Sequence, residues 1–287
     1  MSRLIDLMHL GRDRVIGAYE IDGAVVDPGP SSCVDALLDG LDGPPRALLL
    51  THIHLDHAGA TGVLVRRFPE LRVYVHERGA PHLIDPGKLL ESASQLYGDD
   101  MDRLWGEVAP VPEGNVTALT GGETVEGFGV ADAPGHASHH VAYLHEATGD
   151  AYVGDVGGVR VPPSDFTLAP SPPPDIDVEA WSESLDTVGA WDPARLCLTH
   201  FGRADDPAAQ LERVRESLRR HAERARGGDE SSFVEALEQD LAANVDPDSA
   251  ARLRQAAPPE QLWLGLERYW RKRGERRTTA EQAGSAR

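Results

Sequence analysis

Four side chains with metal-binding chemistry lie within the six residues from His52 to His57. They are His52, His54, Asp56 and His57. A single histidine is more often a packed or surface residue than a ligand, but such a dense group is rarely accidental. Imidazoles and carboxylates are the ligands that a borderline divalent ion such as zinc prefers. The stretch Thr51–His57 therefore predicts a metal site.

Three later loops carry residues of the same kind. His136, Asp155 and His200 each follow an apolar, strand-like run and precede a turn that contains glycine or the start of a helix. Since open α/β folds place their sites where strands end, these loops are expected to converge at one edge of the sheets. Five imidazoles and two carboxylates are too many for one tetrahedral zinc site but enough for two. A carboxylate shared between the ions would complete that arrangement.

Strands and helices must alternate in the first part of the chain to position the histidine-rich stretch. Apolar runs predict buried strands at 46–50 and 71–75. An Asp-Gly pair predicts a tight hairpin within 13–27, because it accommodates positive φ angles. Helices are expected at about 31–41 and from residue 58 onward. The metal-binding stretch is thus predicted between the end of a strand and the start of a helix.

The second part of the chain has a different organisation. Proline and glycine break residues 78–112 into short helical pieces, which indicates an insertion that is either a functional lid or a packing element. Strand patterns return between 116 and 154 and again at 195–199, with a helix at 178–190 between them. Beyond residue 206 the apolar spacing is helical throughout.

The composition limits the class of partner. The net charge of -19 disfavours nucleic acid, because a polyanion would meet an unfavourable field. No stretch approaches the apolar length of a bilayer span, and the start lacks the apolar run and cleavage site of a signal peptide, so the expected location is cytoplasmic. Two cysteines, Cys33 and Cys197, form no disulfide framework, and we expect them to be unpaired.

The order and context of these residues resemble the metallo-β-lactamase-fold hydrolases, a superfamily that includes glyoxalase II-type thioesterases, lactonases, persulfide dioxygenases and RNA-processing nucleases. The motif His-x-His-x-Asp-His is matched at 52–57. Further positions of the pattern are matched at Asp27, His136, Asp155 and His200. The resemblance covers roughly residues 10–205. It implies an α+β fold, the αββα sandwich, here with a helical insertion and a C-terminal helical extension.

The resemblance also implies a role for each residue. The first metal ion would be held by His52, His54 and His136. The second would be held by Asp56, His57 and His200. Asp155 would bridge the two divalent ions, which we expect to be zinc, with manganese or iron as alternatives. Asp27 would support the histidine-rich loop by hydrogen bonds, and His140 would support the site from behind the ligands.

The activity implied is that of a binuclear metal-dependent hydrolase. A metal-bridging hydroxide would attack an ester, thioester, lactone or related carbonyl, and Asp56 would bind metal and hold or receive a proton. The alternative is a mononuclear iron sulfur (persulfide) dioxygenase that uses His52, His136 and Asp155. A non-catalytic, metal-stabilised binding protein is the weakest interpretation, because an unused site does not need all seven ligands.

Domain limits and substrate contacts complete the predictions. The predicted units are a catalytic domain at 1–205 with the insertion 78–112, a helical extension at 206–275 and a disordered tail at 276–287. The substrate is expected to be a small molecule, and the amphipathic C-terminal helices make a homodimer reasonable. Four side chains near the metal loops or in the insertion are candidate substrate-binding residues: Arg160, Arg203, Tyr97 and Trp105.

Overall fold

The computed structural model describes residues 2–285, with side chains for residues 2–275. Its first six strands form one mixed sheet and follow one another in chain order. They are β1 (Arg3–Asp6), β2 (Gly17–Ile21), β3 (Ala24–Val26), β4 (Ala47–Leu49), β5 (Arg72–His76) and β6 (Val116–Leu119). Strands β3 to β6 run parallel, so their loops leave the sheet at the same edge.

The later strands build a second sheet. In chain order they are β7 (Thr124–Val125), β8 (Phe128–Asp132), β9 (Val141–His145), β10 (Asp150–Tyr152), β11 (Val159–Arg160), β12 (Thr167–Leu168), β13 (Arg195–Leu198) and β14 (Gly202–Ala204). Strands β11 and β12 pair with each other, and the other six form a sheet in the order β14-β13-β10-β9-β8-β7. Strands β10 and β13 run parallel, so the loops that follow them lie side by side.

Helices cover the outer faces of both sheets. In chain order they are α1 (Val34–Gly40), α2 (Leu55–Ala58), α3 (Thr61–Arg67), α4 (Ala80–Ile84), α5 (Gly87–Tyr97), α6 (Met101–Trp105), α7 (Val178–Ala190), α8 (Pro207–Gly227), α9 (Glu230–Asn244), α10 (Pro247–Ala256) and α11 (Pro259–Ser285). Helices α4 to α6 occupy the predicted insertion.

The alternation of side chains along each strand explains the layering. Tyr19, Val26 and Leu49 of the first sheet share a buried cluster with Tyr143 and Tyr152 of the second. Their sequence neighbours point to the opposite face and pack under helices instead. Two sheets that pack face to face between helical layers confirm the predicted αββα sandwich.

Near the metal-binding stretch the structure confirms the predicted hairpin and corrects the predicted start of a helix. The predicted hairpin joins β2 and β3 through Asp22 and Gly23, whose φ angles of 50° and 77° are those of a tight hairpin turn. The helix expected from residue 58 begins earlier, because α2 starts at Leu55 and ends at Ala58 before α3 begins. Asp56 and His57 therefore lie on a helical turn rather than in an extended loop.

The C-terminal helices pack on the outer face of the second sheet. Leu211, Val214 and Leu241 belong to the same buried cluster as Ala151 and Leu196. The apolar faces of these helices, which were the reason for predicting a homodimer, are thus buried within the chain. The homodimer stays a prediction. The domain limits also stay a prediction. Helix α11 continues to Ser285, while the side chains of the predicted tail at 276–287 lie outside the described residues.

Two further expectations concern the sulfur chemistry and the membrane. Cys33 and Cys197 are both buried free thiols, as predicted. Across residues 2–285, none of the helices combines the length and the apolar character that crossing a bilayer would need.

Replacing His221 by leucine is expected to raise the free energy of unfolding by about 1 to 3 kcal/mol, because a buried polar group without a partner costs that much. Neither ring nitrogen of His221 has a hydrogen-bond partner among the described residues, and the side chain is buried. Burial, followed by the charges of Arg220 and Arg224, lowers the pKa of His221 to about 3. Below its ordinary pKa of 6.5 the unfolded chain binds a proton that the folded chain rejects.

The wild-type protein should therefore lose stability as the pH falls from about 6.5 to about 3, and the variant should lose less. Urea unfolding at several pH values measures both effects. An equal or lower stability of the variant at pH 7 would contradict the expectation.

Candidate metal centre

The candidate metal ligands lie on four loops at the ends of strands. The residues from His52 to His57 follow β4, and His136, Asp155 and His200 follow β8, β10 and β13. The two sheets place these loops at one edge of the sandwich. The structure therefore brings all seven residues together, although they span the sequence from residue 52 to residue 200.

The side chains form two groups that meet at Asp155. The ligand atoms of His52, His54, His136 and Asp155 lie within 4.8 Å of one another, and so do those of Asp56, His57 and His200. Asp155 Oδ2 lies 3.2 Å from His136 Nε2 in the first group. Its Oδ1 lies 3.2 Å from His57 Nε2 and 3.5 Å from His200 Nε2 in the second. One carboxylate thus faces both groups.

The contacts inside these groups fit bound cations. Asp155 Oδ1 is buried beside the Nε2 atoms of His57 and His200, and it has no hydrogen-bond donor among the described residues when these rings are neutral. In the first group, His54 Nδ1 lies 2.9 Å from His52 Nε2 and 3.0 Å from His136 Nε2. Lone pairs that converge at this distance repel one another unless a cation or a shared proton lies between them. The donor set of imidazole and carboxylate suits zinc, iron or manganese.

Hydrogen bonds at the opposite ring nitrogen fix the orientation of the imidazoles. His136 Nδ1 lies 2.8 Å from the carbonyl oxygen of Pro170, and His200 Nδ1 lies 2.6 Å from that of Val15. His57 Nδ1 lies 2.8 Å from Asp27 Oδ2. When each Nδ1–H donates to its oxygen, the lone pair of Nε2 is left for a metal ion.

The electrostatic environment favours ligands that are ready to bind. Burial, and next the neighbouring imidazoles, lowers the pKa of His52 well below its ordinary value, and burial lowers the pKa of His54 to about 4. These two rings are therefore neutral at pH 7. Burial would raise the pKa of Asp155, but His57, His136 and His200 lower it well below its ordinary value, so the carboxylate is ionised. Deprotonated ligands are a condition for metal binding.

His57 differs from these rings. Burial would lower the pKa of His57, but the carboxylates of Asp155, Asp27 and Asp56 raise it well above its ordinary value. Without a metal ion, His57 would therefore favour its protonated form, and a bound metal ion would displace that proton.

Asp27 accepts hydrogen bonds from the histidine-rich stretch and from a second loop. The carboxylate is buried and accepts hydrogen bonds from the backbone N–H and the hydroxyl of Thr51, both at 2.8 Å. It also accepts bonds from the hydroxyl of Thr199 at 2.9 Å and from His57 Nδ1 at 2.8 Å. Asp27 thus ties the loop after β4 to the loop after β13. These contacts support its predicted role.

A glycine allows the Asp155 loop to approach the histidine-rich loop. Gly154 has a φ of +46°, which L side chains rarely adopt. A Cβ atom there would lie 2.4 Å from Thr51 Oγ1 and 2.8 Å from His140 Nε2. A larger residue would push Asp155 away from the two groups of ligands.

His140 has packing contacts with the site. Its ring stacks on that of His52 with centroids 4.9 Å apart and planes 24° apart. Both ring nitrogens are buried without a hydrogen-bond partner among the described residues. The supporting role predicted for His140 stays a prediction, and the contact that would carry it is ring stacking.

A cleft of about 790 Å³ opens beside His54 and Asp56. Of the candidate substrate-binding residues, Tyr97 lines this cleft. Trp105 is buried behind Tyr97, and the centroids of the Tyr97 and Trp105 rings lie 5.0 Å apart in an edge-on contact. Arg160 faces Asp165 at 3.9 Å, and Arg203 donates to the backbone of Ser2, so the structure brings neither arginine to the cleft. Their substrate-binding roles stay predictions without a supporting contact.

Sequence reasoning missed several residues that do line the cleft. These are Arg78, Lys88, His139 and Arg268. Lys88 carried a signal, because it is one of only two lysines in the chain. Arg268 belongs to a basic cluster near the C-terminus. It lies far in sequence from the metal loops, so the sequence did not predict that it lines the cleft.

The chain is similar in sequence to known proteins. The sequence profile of the metallo-beta-lactamase superfamily matches residues 19–200. A hydroxyacylglutathione hydrolase of Hamiltonella defensa is 32% identical over 123 residues, covering 42% of this chain and 37% of the relative. One of Thermosynechococcus vestitus is 34% identical over 132 residues, covering 46% of this chain and 42% of the relative. The chain thus spans about two fifths of the length of these curated relatives.

Solved structures share the fold over nearly the whole chain. An archaeal metallo-beta-lactamase superfamily protein from Sulfolobus tokodaii has a TM-score of 0.69 at 22% identity, covering 94% of this chain and 98% of its own. A metallo-beta-lactamase family protein from Thermus thermophilus has a TM-score of 0.63 at 21% identity, covering 95% and 94%. Such identities show the fold alone. Because the profile match extends over more than half of its residues, this chain belongs to the metallo-beta-lactamase superfamily.

Proposed function

We propose that this protein is a binuclear metal-dependent hydrolase that cleaves a thioester or a related ester. The observation that carries the proposal is the position of Asp155, whose two oxygens face separate groups of ligands beside an open cleft. The hydroxyacylglutathione hydrolases, which match this chain over part of their length, support a thioester among the carbonyl substrates. Lactones and simple esters are the nearest alternatives.

Two divalent ions at this site would activate water and polarise the substrate carbonyl. The residues of the chain hold and surround them. Water adds to the carbonyl carbon, the carbon–sulfur bond breaks, and the thiol leaves with a proton, so no oxidant is needed. The complete second group of Asp56, His57 and His200 supports this interpretation over the mononuclear iron dioxygenase.

The three carboxylates of the site differ in exposure, and this supports separate roles. The side chain of Asp56 is 22% exposed, whereas those of Asp155 and Asp27 are 5% and 1% exposed. Asp56 lines the cleft, and its Oδ2 lies 3.3 Å from His200 Nε2. Burial would raise the pKa of Asp56, but His57 and His200 lower it, so the group is ionised and can accept a proton.

Metal analysis and turnover test the proposed function. Protein purified without chelator is expected to contain two equivalents of a transition metal and to hydrolyse thioesters in a thiol-release assay. It should consume no oxygen with a persulfide. Absence of stoichiometric metal, or one iron together with oxygen consumption, would refute the binuclear hydrolase.

Replacing Asp56 by asparagine is expected to lower kcat by at least about 100-fold, the usual range for loss of a group that transfers a proton. The amide keeps the shape of the side chain but cannot accept the proton. Steady-state kinetics with each active substrate measures the effect. Unchanged turnover would show that Asp56 has no part in the reaction.

A further inference from the structure

The cleft beside the metal centre has walls from three separate parts of the chain. Helix α5 of the insertion contributes Leu89, Ala93 and Leu96, the segment 172–175 contributes a second wall, and helix α11 contributes a third. A volume of about 790 Å³ lies towards the upper end of the roughly 300–1,000 Å³ that is usual for ligand sites. The cleft can therefore hold a ligand much larger than the reacting carbonyl group.

The insertion is fastened to the metal-binding domain. The hydroxyl of Ser32 donates to the carbonyl oxygen of Leu104 at 2.7 Å, and that of Ser31 donates to Trp105 at 3.0 Å. His9 Nε2 lies 3.0 Å from the same Leu104 oxygen, and its ring stacks on Trp105 with planes 6° apart. These contacts anchor the end of the insertion, at α6, to the N-terminal part of the chain.

The wall formed by α5 has an apolar side that is only partly covered by the rest of the chain. Leu89, Leu90 and Leu96 are only half-buried, and none of the residues of this helix is fully buried. Leu89 and Leu96 line the cleft together with Ile53, which precedes the ligand His54. An acyl chain that extends from the metal centre would cover these side chains and remove them from water.

The charges of the cleft differ from those of the whole chain. Four cationic residues and three acidic residues line the cleft, whereas the chain has 28 Lys and Arg against 47 Asp and Glu. One of the three acids is Asp56 of the metal centre. The lining of the cleft thus has a net charge of +1, four cations less three acids, on a protein whose net charge is -19 and whose general field repels anions.

Three of these cations have no carboxylate partner among the described residues. Arg78 donates to the carbonyl oxygen of Ser138 at 3.3 Å, and Arg268 donates to that of Pro174 at 3.2 Å. Lys88 on α5 is exposed and has no hydrogen bond or ion pair with the described part of the chain. In contrast, Arg271 faces Glu267 at 3.4 Å. Arg78, Lys88 and Arg268 are therefore the side chains available to a ligand's negative charges.

Resting on the proposed thioester hydrolysis, we propose that the substrate is an acyl thioester whose thiol half carries several phosphates, as in acyl-coenzyme A. The acyl chain lies against α5, and the phosphates contact Arg78, Lys88 and Arg268. Cations on three separate elements suit a ligand whose charges are spread along its length, and arginine binds phosphate oxygens through two parallel hydrogen bonds. A tripeptide thiol such as glutathione carries two carboxylates and one ammonium group. It can therefore form fewer favourable contacts with these three cations than a thiol with several phosphates.

A matched pair of substrates tests this proposal. Octanoyl-coenzyme A and octanoyl-pantetheine have the same acyl group and the same thioester, but only the first carries the phosphates and the adenosine, and the salt dependence reports on the phosphates. The kcat/KM of the holoenzyme is expected to be at least about tenfold higher for the coenzyme A thioester, because a charge-assisted contact contributes roughly that factor. The ratio should fall as salt is added. Octanoyl-glutathione is the third arm and is expected to give a value nearer that of octanoyl-pantetheine.

Variants locate the contacts. The changes Lys88→Gln and Arg268→Gln are expected to reduce kcat/KM for octanoyl-coenzyme A roughly tenfold each and to leave octanoyl-pantetheine within about twofold. Unchanged turnover of pantetheine thioester also shows that the variants are folded. Arg67→Gln is the matched control, since Arg67 is exposed outside the cleft beside Phe68. Equal kcat/KM for all three thioesters, a preference for glutathione, or equal losses on all three in the variants would overturn the proposal.

A separate measurement distinguishes this proposal from the proposed function. If no thioester is hydrolysed, the hydrolase proposal fails, and binding of S-octyl-coenzyme A, a thioether that cannot be hydrolysed, still tests the cleft. Calorimetry should show that the holoenzyme binds it at least about tenfold more tightly than S-octyl-glutathione and that Lys88→Gln weakens it. Equal affinities would overturn the phosphate contacts.

Discussion

Replacing Asp155 by asparagine is expected to lower kcat/KM by roughly a thousandfold or more, because metal-assisted catalysis contributes several kcal/mol and each 1.4 kcal/mol is a factor of ten. The two carboxylate oxygens of Asp155 face the two groups of candidate ligands. Its ionised form would offset the positive charge of two ions, and a neutral amide could not do so. The metal content, measured by mass spectrometry, should fall from two equivalents to one or fewer.

The control is Asp175→Asn. Asp175 lines the same cleft and accepts a hydrogen bond from Ser138 at 2.7 Å, but it belongs to neither group of ligands. This variant should keep both metal ions. An Asp155→Asn protein that retains two equivalents of metal and wild-type turnover would refute the bridging role.

Replacing Asp27 by alanine is expected to lower the free energy of unfolding by about 3 to 5 kcal/mol, the usual cost of removing one partner of a buried charged pair. The change leaves the donors of Thr51, Thr199 and His57 without their acceptor. It also releases the ring of His57, so metal affinity should fall by roughly 10- to 100-fold. Urea unfolding in chelator and a competitive metal titration measure the two effects separately.

Asp27→Asn is the matched variant. Asp27 has a φ of 50°, a left-handed conformation that asparagine adopts more readily than alanine. The amide oxygen can still accept from Thr51, so the loss of stability should be smaller than with alanine. If the two variants unfold at the same urea concentration as the wild type, the carboxylate does not hold the two loops together.

The candidate ligands could be predicted because the motif combines local spacing with strand ends. His52, His54, Asp56 and His57 are close in sequence, and a strand followed by a helical turn keeps them close in space. His136, Asp155 and His200 required a different argument, namely that strand ends in sheets of this kind meet at one edge. That argument succeeded because β10 and β13 run parallel and deliver Asp155 and His200 side by side.

The candidate substrate residues show where this reasoning stopped. Arg160 and Arg203 lie close in sequence to Asp155 and His200, yet they point away from the cleft. A side chain on a strand alternates between the two faces of the sheet, so proximity in sequence does not decide which face it occupies. Tyr97, from a distant helix, reaches the cleft instead.

The sequence by itself determined the types and the spacing of the candidate ligands, because these depend on local chemistry, and its resemblance to the metallo-β-lactamase fold implied the αββα layering. Only the tertiary structure decided which wall faces the metal centre, since α5, the segment 172–175 and α11 are far apart in the chain and meet through packing. The tertiary structure also shows that Arg78, Lys88 and Arg268 have no carboxylate partner among the described residues. Such pairing depends on distances between side chains, which no sequence pattern gives. The proposed class of ligand therefore rests on the tertiary structure of the cleft and not on a sequence motif.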